Sequence, residues 1–348
     1  MANQKLPFSC DYMEGAHPNI LTRLVETNML HTPGYGLDPI CESAKARIRE
    51  ACQAPDAEVE FLIGGTQTNS TVIAALLRSY EGVIAADSGH VNVHEAGAIE
   101  YTGHKVLALP SKEGKLSASS IDSFVNAFYA DDNWEHMVAP GMVYISQPNE
   151  WGTLYSLEEL TAISKVCRTH HIPLFVDGAR LSYALGSSQN DVTLPNLARL
   201  ADVFYIGGTK CGALLGEAVV IPNPSLIPHF FTIIKQHGAL LAKGRLLGIQ
   251  FDELFKDGLY FRIGKDADRY AAEIQEALKK KEIPLYFESP TNQVFFIMEN
   301  EMIKKLSEKV SYGFGCVADE THSVIRLCTH WATTEEDTRA LCEIIHAL

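Results

Sequence analysis

Between about residues 39 and 222, short apolar runs alternate with longer segments whose apolar positions recur at helical spacing. Short apolar runs bounded by turn signals read as strands buried on both faces, and a 3.6-residue recurrence reads as helix. On that basis ICESAKARIREAC is a helix, EVEFLIG a strand, TQTNSTVIAALLRSY a helix, GVIAAD a strand, VNVHEAGAIEYTG a helix and HKVLALP a strand. SASSIDSFVNAFYAD follows as a helix with Ser caps, then the strand GMVYISQP. The helix SLEELTAISKVCRTHH opens on Ser156 with Glu159 three residues on, the spacing of a capping box. IPLFVDGAR, ADVFYIGGTK and LGEAVVIP complete the strands. Residues before about 40 carry the Gly- and Pro-rich pieces EGAHPN and HTPGYGLDP and are expected to be irregular.

Strands alternating with helices predict an α/β fold, a mostly parallel sheet with helices on both faces. The alternation breaks near PNPSLIPHF. Beyond about residue 250, long amphipathic helices (KDADRYAAEIQEALKKK, EEDTRALCEIIHAL) flank the short strands NQVFFIM and SVIRLCTH, the pattern of a small α+β domain. The expected division is a large domain over residues 1–248 and a small one over 249–348. With 348 residues, 46% of them hydrophobic, the chain can bury a sizeable core. Its net charge of -14 argues against nucleic acid and anionic membrane surfaces as partners. The eight cysteines form no CxxC pair, which fits reduced thiols. The opening MANQKLPFSCDYM lacks the basic and apolar regions of a leader, and no apolar run approaches the roughly 18 residues of a membrane helix. A cytoplasmic, enzyme-sized protein is expected.

Ligands of open parallel sheets bind at the carboxyl ends of the strands, and four features fall there. Gly64, Gly65 and Thr66 separate a strand from a helix, so backbone N–H groups, the helix start and a hydroxyl could cradle a phosphate. The same residues could be a tight turn with an N-cap. Asp177 ends the run FVD with Arg180 three residues on, either an ion pair or a carboxylate aimed into the cleft. Lys210 follows FYIGGT at a strand end, either snorkelling or, with a lowered pKa, a nucleophile toward carbonyls. His90 follows the strand GVIAAD. A phosphate cup, then an Asp, then a Lys at successive strand ends match one cofactor, pyridoxal 5'-phosphate. It needs a Schiff-base lysine, an acid for its ring nitrogen and a phosphate anchor. Thr209 could add a hydroxyl. His90 and His94, four apart, could alternatively share a metal, but no third ligand stands at persuasive spacing, so no metal is expected.

The segments YGLDP (35–39), GGTQTN (64–69), ADSGHVNVHEAGA (86–98), VDGAR (176–180), GGTKCGA (207–213) and VIRLCTH (324–330) together resemble the threonine aldolase and β-eliminating lyase family, in that family's order and over nearly the whole chain. The resemblance implies the fold type I architecture of aspartate aminotransferase, with a seven-stranded, mostly parallel sheet. It implies that Lys210 bonds the cofactor, Asp177 serves its ring nitrogen, Gly65 and Thr66 hold the phosphate, and His90 stacks on the ring. Arg180 and Arg326 resemble the pair that binds the substrate carboxylate, with Ser9 a third contact. His136 resembles a second active-site histidine. Tyr35 and Arg245 resemble residues lent by a neighbouring subunit, which implies a homodimer or homotetramer with shared sites.

The implied activity is cleavage of the Cα–Cβ bond of a β-hydroxy-α-amino acid, L-threonine or L-allo-threonine, to glycine and acetaldehyde, as in a low-specificity threonine aldolase. His90 or His136 is the expected base, because neutral imidazole is matched to pH 7; pure stacking is the other role open to His90. A β-eliminating lyase or an aminotransferase would share the cofactor residues. Where many family members carry an acidic-Asn-Thr-His-Asn stretch, this chain reads SQPNEWGT (146–153), a change on the substrate side.

Overall fold

The computed structural model describes residues 5–348; Met1–Gln4, part of the stretch read for a leader, lie outside the described residues. Its strands are β1 (Leu6–Pro7), β2 (Glu58–Leu62), β3 (Glu81–Ala86), β4 (Val106–Leu109), β5 (Ala139–Ser146), β6 (Leu174–Asp177), β7 (Val203–Gly207), β8 (Glu217–Ile221), β9 (Gln293–Glu299), β10 (Val310–Ser311), β11 (Gly313–Val317) and β12 (His322–Cys328).

Seven strands form one sheet in the order β2-β8-β7-β6-β5-β3-β4. Only β8 runs against its neighbours, so the sheet is mostly parallel as expected. Alternate side chains point to opposite faces, and both faces are buried. Val59, Ile84, Val143, Val176 and Phe204 face one apolar layer. Leu62, Val83, Tyr144, Phe175 and Tyr205 face the other. A third core lies over the antiparallel sheet β11-β12-β9, formed with the helices Leu259–Lys280, Asn300–Ser307 and Glu335–Ala347.

Two expectations are corrected. The stretch before residue 40 is not wholly irregular: Pro18–Thr27 is a helix, and β1 pairs in parallel with β10. Pro18, read as a loop mark, stands in the helix's first turn, where a missing N–H costs nothing. The helix expected at VNVHEAGAIEYTG is two single turns, His90–Val93 and Ala98–Tyr101, split where Ala96 and Gly97 take φ of 51° and 73°. The break swings Glu95 inward, where it is buried beneath His90. The helices Leu181–Gly186, Leu194–Leu200, Phe230–Gln236 and Arg245–Phe255 had no counterpart in the sequence pattern. Among the described residues no helix is long and apolar enough to cross a membrane.

Candidate active site

Parallel strands deliver their C-terminal ends to one edge of the sheet, and a cavity of about 240 Å³ opens there. Gly65, Thr66, His90, Asp177, Arg180, Thr209 and Lys210 all line it. The exits of β6 and β7 are pinned backbone to backbone: Gly207 N–H donates to Gly178 O at 2.9 Å. A Cβ on Gly178 would sit 1.9 Å from Tyr205 O, and one on Gly207 would sit 2.3 Å from Ala179 O. Glycine at both positions is therefore what lets Asp177 and Lys210 share one rim.

Asp177 is held by four donors. Oδ1 accepts from Tyr205 OH at 2.5 Å and Ala179 N–H at 2.9 Å. Oδ2 accepts from Tyr144 OH at 2.5 Å and Asn69 Nδ2 at 3.1 Å. Tyr144, Phe175, Asp177 and Tyr205 share a sheet face through the period-two alternation of β5, β6 and β7. Burial, and then the Asp177 charge, push both phenols far above the usual tyrosine range, so they stay donors. The helix Gly65–Leu76 begins at Gly64 with no side-chain cap, leaving its first N–H groups directed at the cavity rim. A Cβ on Gly65 would come within 3.2 Å of Tyr205 OH, a close approach that favours glycine there.

Lys210 is carried on the loop after β7, its carbonyl fixed by Tyr183 OH at 2.5 Å. Among the described residues, no hydrogen bond or ion pair within 4.0 Å reaches its Nζ. Burial, and then the positive charge of Arg180, pull its ammonium below the ordinary lysine range, against the opposing charges of Asp11, Asp177 and Glu217. The amine is thus biased toward its nucleophilic, neutral form.

Arg180 is not free at both edges. Asp11, fully buried, takes its Nε at 2.6 Å and its Nη2 at 3.0 Å, and Asn292 Nδ2 adds a third bond to that carboxylate at 3.0 Å. This leaves Arg180 Nη1 without a protein partner among the described residues. The charges of Arg180 and Lys210 overcome the desolvation of Asp11 and hold its carboxyl far below the usual range. The stability this gives is full above the ordinary aspartate pKa and is lost as pH falls toward the depressed one. Asp11→Asn is expected to cost roughly 3–5 kcal/mol, because one buried charge loses its counterpart. Thermal unfolding at neutral and acid pH checks this: the variant's midpoint should fall well below the wild type's, with a weaker loss on acidification.

His90 Nδ1 meets Glu95 Oε1 at 2.7 Å, and the same oxygen accepts from Asn69 Nδ2 at 2.7 Å. Glu95 therefore fixes the ring and leaves Nε2 as its other polar edge. His90 N–H donates to Glu150 Oε1 at 3.0 Å, which also accepts from Ser146 Oγ at 2.8 Å. His94 stands with its ring centroid 5.6 Å from that of His90. Among the described residues no three His, Cys, Asp or Glu side chains converge as a metal set.

Ser9, Tyr35, His136, Arg245 and Arg326 lie outside the cavity lining. Arg326 is adjacent: Nη1 donates to Gln293 Oε1 at 3.1 Å, Nη2 to Ser9 O at 3.2 Å, and Nε is buried with no partner among the described residues. The Ser9 hydroxyl lies on Met13 Sδ at 3.2 Å, so its carbonyl, not its hydroxyl, meets Arg326. His136 ends an exposed turn, Trp134–His136, and does not join the group. Tyr35 is exposed beneath Lys235, and Arg245 donates to Leu30 O at 2.5 Å and Asn28 O at 2.9 Å, both at the surface. The hydroxyl proton of Thr209 goes to Glu217 Oε1 at 2.9 Å, which takes away the free donor expected there. Asp11, Tyr144, Glu150, Tyr205 and Glu217 were not singled out in the sequence. The alternation of β5 and β7 was the available signal for the two tyrosines.

The family profile described as beta-eliminating lyase matches residues 11–301. A low specificity L-threonine aldolase from Pseudomonas sp. (strain NCIMB 10558) is 32% identical over 100% of this chain and 99% of its own length. A second, from Pseudomonas aeruginosa, is 32% identical over 88% of each chain. Among solved structures, a Leishmania major threonine aldolase superposes with a TM-score of 0.95 at 44% identity, covering 98% of both chains. Aspartate aminotransferase from Thermus thermophilus, 14% identical with a TM-score of 0.71, shares the fold alone. Strand ends, cavity and full-length similarity agree: the chain belongs to the beta-eliminating lyase family, a family of pyridoxal-phosphate-dependent lyases.

Proposed function

We propose that this protein is a low-specificity threonine aldolase, cleaving L-threonine or L-allo-threonine to glycine and acetaldehyde. The observation that carries the reading is the meeting of Lys210 and Asp177 in one cavity of a chain similar over its full length to threonine aldolases. The residues fit pyridoxal phosphate: an uncapped helix start for the phosphate, a buried, cavity-lining carboxylate for the ring nitrogen and a buried amine with no hydrogen-bond partner among the described residues. Lys210 would hold the cofactor covalently, Gly65 and Thr66 its phosphate and Asp177 its ring nitrogen. When bound, the cofactor supplies an electron sink for the carbanion left by Cα–Cβ cleavage.

The chain's own residues do the rest. Arg180 Nη1 binds the substrate carboxylate, with Arg326 the second guanidinium beside the cavity; Asp11 keeps the first guanidinium rigid and Gln293 the second. His90 takes the β-hydroxyl proton at Nε2, because Glu95 occupies Nδ1. The proton then resides on an imidazolium that the buried Glu95 carboxylate stabilises. His136, on its exposed turn, is left without this role.

An oligomer with shared sites is part of the same reading. It is supported by the exposed apolar row Leu21, Val25, Met29, Leu30, Tyr35 and Leu37, next to which Arg245 is tethered. A cytoplasmic location is proposed on the acidic, cysteine-reduced composition. Incubating the purified protein with each threonine diastereomer tests the activity. Acetaldehyde with equimolar glycine supports it; ammonia with a keto acid assigns β-elimination and overturns it.

A further inference from the structure

Glu217 has no part in the chemistry above, yet it shares the cavity with Lys210. It opens β8, the reversed strand, and its Cα is paired with Leu62 on one side and Gly207 on the other. That register brings it to the edge where the Lys210 loop leaves β7. The residue is 3% exposed. Oε1 accepts from Thr209 Oγ1 at 2.9 Å, and that hydroxyl accepts from Gly216 N–H at 3.1 Å. Oε2 is buried with no hydrogen-bond partner among the described residues. A buried carboxyl with one neutral donor and one orphan oxygen is costly as an anion unless a cation offsets it, or unless it keeps its proton.

Lys210 is the cation left for that task, since Arg180 is bonded twice to Asp11. We propose that Glu217 is the electrostatic counterpart of Lys210 across their shared cavity. Its buried carboxyl, with one oxygen bonded to Thr209 and the other without a partner among the described residues, is stable as an anion only against positive charge at position 210. Glu217 thereby sets the pH at which the nitrogen of residue 210, once bonded to the cofactor, gains or loses its proton. The inference rests on the reading of Lys210 as the cofactor-bonding residue.

Other groups face the pair. Asp177 and Arg180 face Lys210 from the exit of β6, Asp11 from the N-terminal segment and His94 from the turn after β3. Asp177, Tyr205, Tyr260 and Cys211 face Glu217. Burial pushes both phenols far up and the thiol to about 12, so these three stay protonated at neutral pH. Burial and the charge of His90 lower His94, which keeps it neutral there. Burial pushes Glu217 up to about 8, against the pull of the Thr209 hydrogen bond and the Lys210 charge.

The test is the visible absorption of the holoenzyme's bound cofactor as a function of pH, for wild type, Glu217→Gln and Glu217→Asp. Loss of the carboxylate should lower the midpoint of the protonation-dependent band by about one pH unit or more, the size expected when an adjacent opposite charge is removed. The aspartate variant should shift it less, in the same direction. Its carboxyl also answers the question if the glutamine variant does not fold. A midpoint unchanged in either folded variant overturns the proposal. Absence of any coloured, borohydride-reducible adduct at Lys210 in wild type overturns the cofactor reading itself, and the proposal with it; a coloured adduct indifferent to position 217 overturns only the proposal.

Discussion

Lys210→Ala is expected to reduce threonine cleavage by roughly 10³-fold or more in kcat/KM, and to leave no cofactor attached after borohydride reduction. Loss of a single group that bonds or stabilises the reacting centre is felt on that scale, because the remaining residues cannot substitute for a covalent partner. The same substitution should not weaken the fold. The Lys210 ammonium is desolvated among Arg180 and three carboxyl groups, with no hydrogen bond to its Nζ among the described residues. Removing an amine held under such strain is expected to keep or raise the unfolding midpoint of the cofactor-free protein, since a site shaped for reaction is kept at some expense of stability. Assays of initial rate and a thermal scan on one preparation check both halves. Full-rate cleavage by the alanine variant would end the covalent reading of position 210.

Asp177→Asn is the second large effect. A fall of roughly 10²–10³-fold in kcat/KM is expected, the usual consequence of removing one preorganised electrostatic contact from a reacting centre. Colour should persist, because Lys210 is untouched. The variant also disturbs its surroundings. Asp177 offers four donors only acceptors: Tyr205 OH and Ala179 N–H on one oxygen, Tyr144 OH and Asn69 Nδ2 on the other. An asparagine amide turns one acceptor into a donor, so two buried donors confront it. Each buried donor left unsatisfied costs roughly 1–3 kcal/mol. Loss of activity with colour and fold retained identifies the electrostatic role; loss of colour as well would place Asp177 in binding instead.

The sheet, the order of its layers and the residues at its strand ends were legible in the sequence, because a strand buried on both faces must be apolar throughout and its punctuation must fall at the rim. Lys210 and Asp177 stood out as charges ending such runs. What escaped notice were partners that sit inside them. Tyr144 and Tyr205 read as core aromatics, and nothing local says that each hydroxyl meets a carboxylate on the neighbouring strand, 33 and 28 residues away. Asp11 lies in a stretch dominated by turn signals, and its partner Arg180 is 169 residues on. Glu217 opens a run read as an ordinary strand, and only the reversal of β8 carries it to the rim. The exposed apolar face of Pro18–Thr27 was hidden by the proline that begins it.

The pairing of β1 with β10 has a consequence for how the molecule comes into being. Ser311, whose hydroxyl donates to Leu6 O, is made 305 residues after it, and Cys328 N–H closes on Phe8 O later still. Asp11 waits for Asn292 in the same way. Chains emerge from the ribosome amino end first, and contacts across long separations form slowly. Residues 6–8 therefore lack these partners through nearly all of synthesis, and Asp11, which braces the Arg180 guanidinium, gains its bond from Asn292 only after every strand of the seven-stranded sheet has been made.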